Sequence, residues 1–246
     1  MLFRSNMQAV VHCYHYDVLC YLAPYLRHIA RLGGDIHLLV VNDNLLDSAL
    51  DDYLSSLNTG FTRHSWIRVP NYGEDWSSFH HAFRLGLFNH EGVTFKIQTK
   101  RSSSLGSDGG SVWIDDALGP LCASSSSIVR TLSSLSDNNG SIVSSTYVRC
   151  KEFGANPKLV SEYIEKMNLG DSSKYKMTYF AGGSMFAATN KIIRGFYERL
   201  GDVDYSKIVD GGNSYCGRFA GHALERVFFY YATQHSAAAN SIVWAS

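Results

Sequence analysis

Short apolar runs alternate with longer amphipathic stretches over the first hundred residues. Apolar runs bounded by polar turns predict four strands, at residues 8–14, 35–41, 61–69 and 94–99. Apolar positions at helical spacing predict the helices between them, at residues 17–32, 45–57 and 75–89. This order favours an α/β fold with a mostly parallel central sheet flanked by helices, in which ligands bind beyond the carboxyl ends of the strands.

The second half of the chain has a less regular pattern. A stretch rich in serine and glycine at residues 102–111 predicts a mobile loop, which would either close over a bound ligand or be simply disordered. Further segments are predicted as strands at 141–148 and 178–188, and as helices at 190–200 and 219–233. No composition shift marks a linker, so we expect residues 1–246 to form one domain.

Composition and charge exclude several classes of protein. Lys plus Arg and Asp plus Glu each number 22, and this balance argues against a nucleic-acid partner. The five cysteines are widely spaced without a C-x-x-C pair, which disfavours disulfides and zinc. No apolar run is long enough for a transmembrane segment and no signal peptide is evident, so we expect a cytoplasmic protein.

Several common catalytic motifs are absent. The sequence lacks G-x-S-x-G, the P-loop pattern and a G-x-G-x-x-G after the first strand. These absences disfavour α/β-hydrolases, P-loop enzymes and dinucleotide-dependent oxidoreductases.

Three local patterns remain as candidates for chemistry. VPNYGEDWSSF at 69–79 places Asp75 at the start of a helix, where it would also serve as an N-cap. FKIQTKRS at 95–102 brings Thr99, Lys100 and Arg101 to the end of a buried strand, where an anionic ligand or solvent would stabilise the adjacent cations. The third pattern is AGGSMFAATNK at 181–191 followed by GHALERVFF at 221–229, in which the glycines could equally serve close packing.

Together with HCYHYDVL near the start, these motifs resemble the rhamnan synthesis protein F family, in order and spacing, from about residue 10 to residue 231. The resemblance implies a GT-A-like glycosyltransferase that moves L-rhamnose from a nucleoside diphosphate donor, UDP or dTDP, to a glycan acceptor. It also implies a nucleotide-binding half at 1–100, an acceptor and catalytic half at 101–246, and further domains in a longer protein. The family pattern differs at Glu74 and Gln98.

The chemistry of glycosyl transfer assigns roles to these residues. Transfer of a β-linked donor to an α-linked product requires inversion and one carboxylate base, for which Glu225 is the first candidate and Asp210 and Asp75 are alternatives. A structural ion pair of Glu225 with Arg218 or Arg226 is the other interpretation of this residue. The diphosphate leaving group needs positive charge. Lys100 and Arg101 stand where many GT-A enzymes carry a metal-binding Asp-x-Asp, so we expect no metal site and no essential Mg²⁺ or Mn²⁺.

The remaining candidates are binding residues. The nucleotide is expected near the ends of the first strands, and the candidate donor-binding residues are Tyr14, Asn42, Asp43, Asn71, Gly73 and Thr99, with Lys100 and Arg101. The residues expected to border the reacting carbon or the acceptor are Gly182, Gly183, Ser184 and His222.

Two other classes remain open on the sequence alone. A non-catalytic glycan- or nucleotide-binding module would not need the carboxylate base. An α/β methyltransferase could use Asn42 and Asp43 for a cofactor ribose, although HCYHYD stands where its Gly-rich turn would be.

Overall fold

The structure is a computed structural model. It describes residues 6–57, 60, 62–71, 74–99, 106–136, 141–145, 147–151, 157–171, 177–205, 220–235 and 242–245.

Strands and helices alternate over residues 7–98 as predicted, except that the helix predicted at 17–32 is divided into two. The strands are β1 (Met7–Cys13), β2 (Asp35–Val40), β3 (His64–Arg68), β4 (Val93–Gln98), β5 (Ile142–Ser144), β6 (Tyr147–Lys151), β7 (Met177–Ala181), β8 (Phe186–Thr189) and β9 (Ile242–Trp244). The helices are α1 (Tyr16–Tyr21), α2 (Ala23–Arg31), α3 (Asp47–Leu57), α4 (Glu74–Arg84), α5 (Gly106–Cys122), α6 (Ser125–Ser136), α7 (Pro157–Lys166), α8 (Asn190–Leu200) and α9 (Ala220–His235). Within the described ranges, no helix is long and apolar enough to cross a membrane.

Seven of these strands form the central sheet, in the order β3-β2-β1-β4-β8-β5-β9. Strand β8 pairs antiparallel with both β4 and β5, whereas the other pairings are parallel, so β8 alone among the described strands of this sheet runs backwards. The remaining two strands, β6 and β7, form a small antiparallel sheet. The predicted α/β architecture with a mostly parallel sheet is confirmed.

Helices cover both faces of the sheet because the strands alternate their side chains between two cores. Ala9 and Val11 of β1 pack in the core with α1, α2, α3, α5 and α6, whereas Val10 packs in the core with α4, α7, α8 and α9. Strand β4 follows the same period of two: Phe95 and Ile97 join the first core, which turns Lys96 toward α4.

The prediction of a mobile loop at 102–111 is wrong for residues 106–111, which begin helix α5; residues 102–105 lie outside the described ranges. Serine and glycine have low helix propensity, but the later part of this helix carries Ile114, Ala117, Leu118 and Leu121 at helical spacing. These four side chains are buried against the sheet, and tertiary packing stabilises the helix despite its N-terminal composition.

The predicted strand at 178–188 is divided in two. Residues Gly182–Ser184 form a 3-10 turn between β7 of the small sheet and β8 of the central sheet. Gly183 has a φ of 74° and Ser184 a φ of 56°, and two successive residues in the left-handed region cannot continue a strand. The turn therefore sits where β8 enters the central sheet. The predicted strand at 141–148 is similarly divided, between β5 and β6.

Candidate functional site

The predicted binding residues gather at one edge of the central sheet. Strands β1, β2 and β4 are parallel, and Tyr14, Asn42 and Thr99 follow directly or within two residues of their carboxyl ends. Because β8 runs antiparallel to β4, the turn Gly182–Ser184 before it lies at the same edge. The carboxyl edge is where open α/β sheets bind their ligands.

Hydrogen bonds join the loops at this edge. The Thr99 hydroxyl accepts the backbone N–H of Tyr14 at 2.8 Å and that of His15 at 3.0 Å. The Asn42 amide donates to the Tyr14 carbonyl at 2.8 Å. The Tyr14 side chain remains 40% exposed, so its ring is available to a ligand above the edge. Asp43 and Asn71 are also exposed here.

Lys96 is a fully buried lysine below this edge, with 1% of its surface exposed. Its ammonium forms an ion pair with Asp75 of α4 and donates to the Ser184 carbonyl at 3.0 Å. The rings of Trp76, Phe79 and Phe186 surround the ammonium, with centroids 5.0 to 5.8 Å away. Burying an ammonium without partners is costly, and the ion pair and the ring faces offset that cost here.

Ser184 connects this ion pair to Glu225 of α9. Its hydroxyl donates to Glu225 Oε1 at 2.6 Å and accepts the Trp76 indole N–H at 3.1 Å. The two candidate carboxylates, Asp75 and Glu225, therefore lie on either side of one residue of the turn. Both are buried, at 7% exposure each.

The surroundings of Glu225 favour its protonated form. Burial, the largest cause, raises the pKa of Glu225, and the negative charge of Asp75 adds to it. The Ser184 hydrogen bond opposes this rise, as do Arg226, whose guanidinium lies 3.9 Å from Glu225 Oε2, and His222. A carboxylate with a raised pKa is suited to take up a proton near neutral pH.

A neutral histidine lies beside the Asp75 pair. Burial lowers the pKa of His12 to about 4, so the imidazole is uncharged at pH 7. The Ser78 hydroxyl donates to the Asp75 carbonyl at 2.9 Å and therefore accepts from His12 Nδ1 at 2.8 Å. This arrangement assigns the ring proton to Nδ1.

Gly183 lets the turn pack closely under helix α5. A Cβ atom at Gly183 would lie 1.7 Å from Trp113 Cζ2, and the φ of 74° belongs to the region that favours glycine. The Gln98 amide donates to the Gly183 carbonyl, which ties the turn to the end of β4.

Substituting Gly183 by alanine is expected to lower stability by about 2–4 kcal/mol, from overpacking against Trp113 together with a left-handed conformation. Urea unfolding followed by circular dichroism measures this loss. Gly119→Ala on helix α5, the helix that carries Trp113, is the matched control. Nothing lies within 4 Å of the Gly119 Cβ position, so we expect a gain in stability of about 0.5–1 kcal/mol. Equal stability of the Gly183→Ala variant and the unsubstituted protein would contradict the close packing.

The structure brings some predicted site residues together and leaves others aside. Asp75, Ser184 and Glu225 are joined through hydrogen bonds and one ion pair, and Gly182 and Gly183 belong to the same turn. His222 lies one turn before Glu225 on α9, and its carbonyl accepts from Arg226. The predicted residues outside the described ranges are Gly73, Lys100, Arg101 and Asp210.

Sequence reasoning missed Lys96, Gln98 and the hydrogen-bonding role of Trp76. A signal for the first two was present: in TFKIQT the polar residues alternate with Phe95 and Ile97, so one face of a buried strand is polar. Nothing in the local sequence marks Trp76 as a partner of Ser184, because that contact joins two distant segments.

The described end of β4 does not suit a divalent cation. The Gln98 amide and the Thr99 hydroxyl are hydrogen-bonded to backbone groups, and neither offers a carboxylate oxygen. In the described part of the chain, no three side chains of His, Cys, Asp or Glu form a potential metal-ligand set.

No protein-family model matches this chain, and no curated protein matches its sequence. Membership of the rhamnan synthesis protein F family therefore stays a prediction. Among solved structures, the chain is similar to core-mannan synthase A from Aspergillus fumigatus in its Mn/GDP form, with 10% identity and a TM-score of 0.43 over 98% of this chain and 73% of that one.

The chain is also similar to the galactosyltransferase LgtC in complex with donor and acceptor sugar analogues, with 14% identity and a TM-score of 0.40 over 98% of this chain and 73% of that one. At these identities and TM-scores the similarity says nothing about the chemistry of this chain. That chemistry depends on the residues at the sheet edge.

Proposed function

We propose that this chain is a glycosyltransferase that moves a sugar from a nucleoside diphosphate donor to a hydroxyl of a glycan acceptor. The observation that carries the proposal is that Ser184, at the carboxyl edge of the sheet, contacts Glu225 directly and is linked to Asp75 through Lys96. Three segments far apart in sequence meet there. Two carboxylates in different environments at a ligand-binding edge are typical of acid–base chemistry.

The two carboxylates are suited to different roles. Asp75 forms an ion pair with Lys96, so it acts on the charge balance of the site. Glu225 is bonded to no cation at hydrogen-bond distance among the described residues, and burial raises its pKa. Glu225 is therefore the proposed base, which removes the proton of the acceptor hydroxyl as the glycosidic bond forms.

The donor would lie along the ends of β1, β2 and β4. Tyr14 has an exposed ring that is available to the nucleobase. Hydrogen bonds of the Asn42 and Thr99 side chains to the Tyr14 backbone hold these loops together, and they would form a rigid surface for the ribose. Lys100 and Arg101 follow Thr99 directly in the chain. We propose that they neutralise the diphosphate as negative charge develops on the leaving group.

The identity of the sugar rests on the motif resemblance. L-rhamnose carried by UDP or dTDP as the β-linked donor, and an α-linked product, would make the reaction inverting. One base on the face opposite the leaving group is sufficient for that course, and Glu225 supplies it in this proposal.

Nucleotide binding and turnover test the proposal directly. In a thermal-shift assay we expect UDP or dTDP at about 100 times its dissociation constant to stabilise the protein by about 2.7 kcal/mol. For a chain of this length the melting temperature should rise by roughly 5–11 °C. With the matching nucleotide-rhamnose, release of nucleotide should then be measurable.

Other outcomes of this assay have distinct meanings. Stabilisation by S-adenosylmethionine alone would contradict the proposal in favour of a methyltransferase. Nucleotide binding without turnover of UDP- or dTDP-rhamnose, or of UDP-glucose and UDP-galactose, would contradict it in favour of a non-catalytic binding module.

Chelation tests the proposed metal independence. We expect turnover in excess EDTA to equal turnover with added Mg²⁺ or Mn²⁺, because Lys100 and Arg101 would supply the positive charge. The rate of nucleotide release in each buffer is the measurement. Loss of activity in EDTA with rescue by Mn²⁺ would refute this part of the proposal and leave the transferase assignment standing.

A further inference from the structure

The hydrogen bonds of Ser184 have a fixed direction. The Trp76 indole N–H is a donor only, so the Ser184 hydroxyl oxygen must accept it, at 3.1 Å. The single hydroxyl proton then points to Glu225 Oε1, at 2.6 Å. Because an ionised carboxylate can only accept, Ser184 donates its proton to Glu225 while its oxygen accepts from Trp76.

This direction distinguishes the two oxygens of Glu225. Oε1 accepts the Ser184 proton in a short, charge-assisted hydrogen bond, which holds it in the unprotonated form. Oε2 lies 3.9 Å from the Arg226 guanidinium, which is beyond hydrogen-bond distance. Within the part of the chain that the structure describes, Oε2 is therefore the Glu225 oxygen with capacity to accept a proton.

The backbone holds Ser184 in this position. The residue has a φ of 56°, which is unusual outside glycine, and its carbonyl accepts the buried Lys96 ammonium at 3.0 Å. A strained residue persists where its surroundings overdetermine it, and such residues cluster at functional sites. Only 3% of its surface is exposed, and its hydroxyl makes both of its hydrogen bonds inside the protein, to Trp76 and Glu225.

We propose that Ser184 is a positioning residue: held by Trp76 and Lys96, it binds Glu225 Oε1 and leaves Oε2 to take the proton of the acceptor hydroxyl. This inference rests on the proposed function, because it assumes that Glu225 is the base. It assigns to Ser184 a role through Glu225, in place of the acceptor contact predicted from the sequence.

Several charged groups act on Glu225 in addition to Ser184. Asp75 of α4 raises its pKa, Arg226 and His222 of its own helix lower it, and Lys96 of β4 acts through its ion pair with Asp75. Replacement of Ser184 leaves these four groups in place. A change in the titration of Glu225 can therefore be attributed to the lost hydroxyl.

The test is a direct titration of Glu225 in the full chain. Glutamate labelled with ¹³C at the carboxyl carbon is followed by NMR against pH, and the Glu225 signal is identified by its loss in Glu225→Gln. In Ser184→Ala we expect the pKa of Glu225 to rise by about one to two units, since the charge-assisted hydrogen bond favoured the ionised form. The acid limb of kcat/KM against pH should move by the same amount, with KM for the donor unchanged.

Two further variants separate position from folding. Ser184→Gly also removes the hydroxyl but relieves the positive φ, so the same pKa rise is expected without backbone strain. Ser144→Ala is the matched control: Ser144 is a buried serine whose hydroxyl donates to the Met185 carbonyl at 3.4 Å, and its removal should leave the titration of Glu225 unchanged.

The NMR and activity results distinguish the two levels of the proposal. An unchanged pKa of Glu225 in both Ser184 variants overturns the positioning role, whatever the activity. If the pKa of Glu225 rises but the acid limb of the kcat/KM profile does not move, Glu225 is not the base, and the link to Ser184 has no catalytic role. Parallel movement of both supports the positioning role and the proposed function together.

Discussion

Glu225→Gln is expected to lower kcat by about 10²–10⁴ while nucleotide binding stays nearly unchanged. An amide cannot take a proton from the acceptor, but its oxygen can still accept the Ser184 hydroxyl, so the surrounding turn should be preserved. Stability should not fall substantially either, because the substitution removes a carboxylate that burial destabilises. The measurements are steady-state kinetics and nucleotide affinity by calorimetry.

Glu198→Gln is the control for this variant. Glu198 lies on the exposed face of α8, so the same chemical change there should leave kcat within a factor of about two. Near-normal turnover in Glu225→Gln would exclude Glu225 as the base. A loss of nucleotide binding along with turnover would instead point to a structural role at the edge of the sheet.

Much of the fold could be predicted from the sequence because its signals are local. Strand and helix periods along residues 7–98 follow directly from side chains that alternate between two cores. Helix α5 was missed because its first turns consist of glycine and serine, and the packing of Ile114 and Leu118 that stabilises it joins distant segments. The division of the predicted strand at Gly183 has a similar cause. AGGSMFAA is compatible with a continuous apolar strand, and the close approach of Trp113 to Gly183, which accompanies the turn, comes from a distant segment.

The candidate site shows the same division. In the sequence, Asp75 stands out at the predicted start of a helix, and Glu225 stands out as an acidic residue in a mostly apolar helical segment. Their connection through Ser184 depends on β8 entering the sheet antiparallel beside β4, which places Phe186 opposite Lys96. No periodicity within one segment encodes that pairing. A lysine inside an apolar strand could have indicated a buried carboxylate partner, but the strand alone does not identify Asp75 as that partner.

Lys96→Met is expected to destabilise the protein by about 3–5 kcal/mol, because it leaves Asp75 as a buried carboxylate without its cation. For a chain of this length, the melting temperature should fall by roughly 6–20 °C at pH 7. Methionine fills much of the volume of the lysine side chain, so the loss of stability comes more from the missing charge than from a cavity. Calorimetry across pH separates these two contributions.

The pH dependence has a definite sign. A buried carboxylate without its cation is costly only while it is charged, so in Lys96→Met protonation of Asp75 favours the folded state and the stability deficit grows as pH rises. Lys96→Met should therefore recover part of its stability at about pH 4–5 relative to the unsubstituted protein. A cavity alone would give a deficit that does not vary with pH.

Two variants complete the argument. Lys96→Met combined with Asp75→Asn removes both charges, and we expect most of the loss to be restored, since a buried ion pair contributes little net stability compared with neutral replacements. Arg84→Met breaks an exposed pair with Asp202, in which both side chains are more than half accessible, and should cost less than about 1 kcal/mol. If Lys96→Met and Arg84→Met prove equally mild, Asp75 is not held by Lys96, and its charge would no longer account for the difference between the two carboxylates of the site.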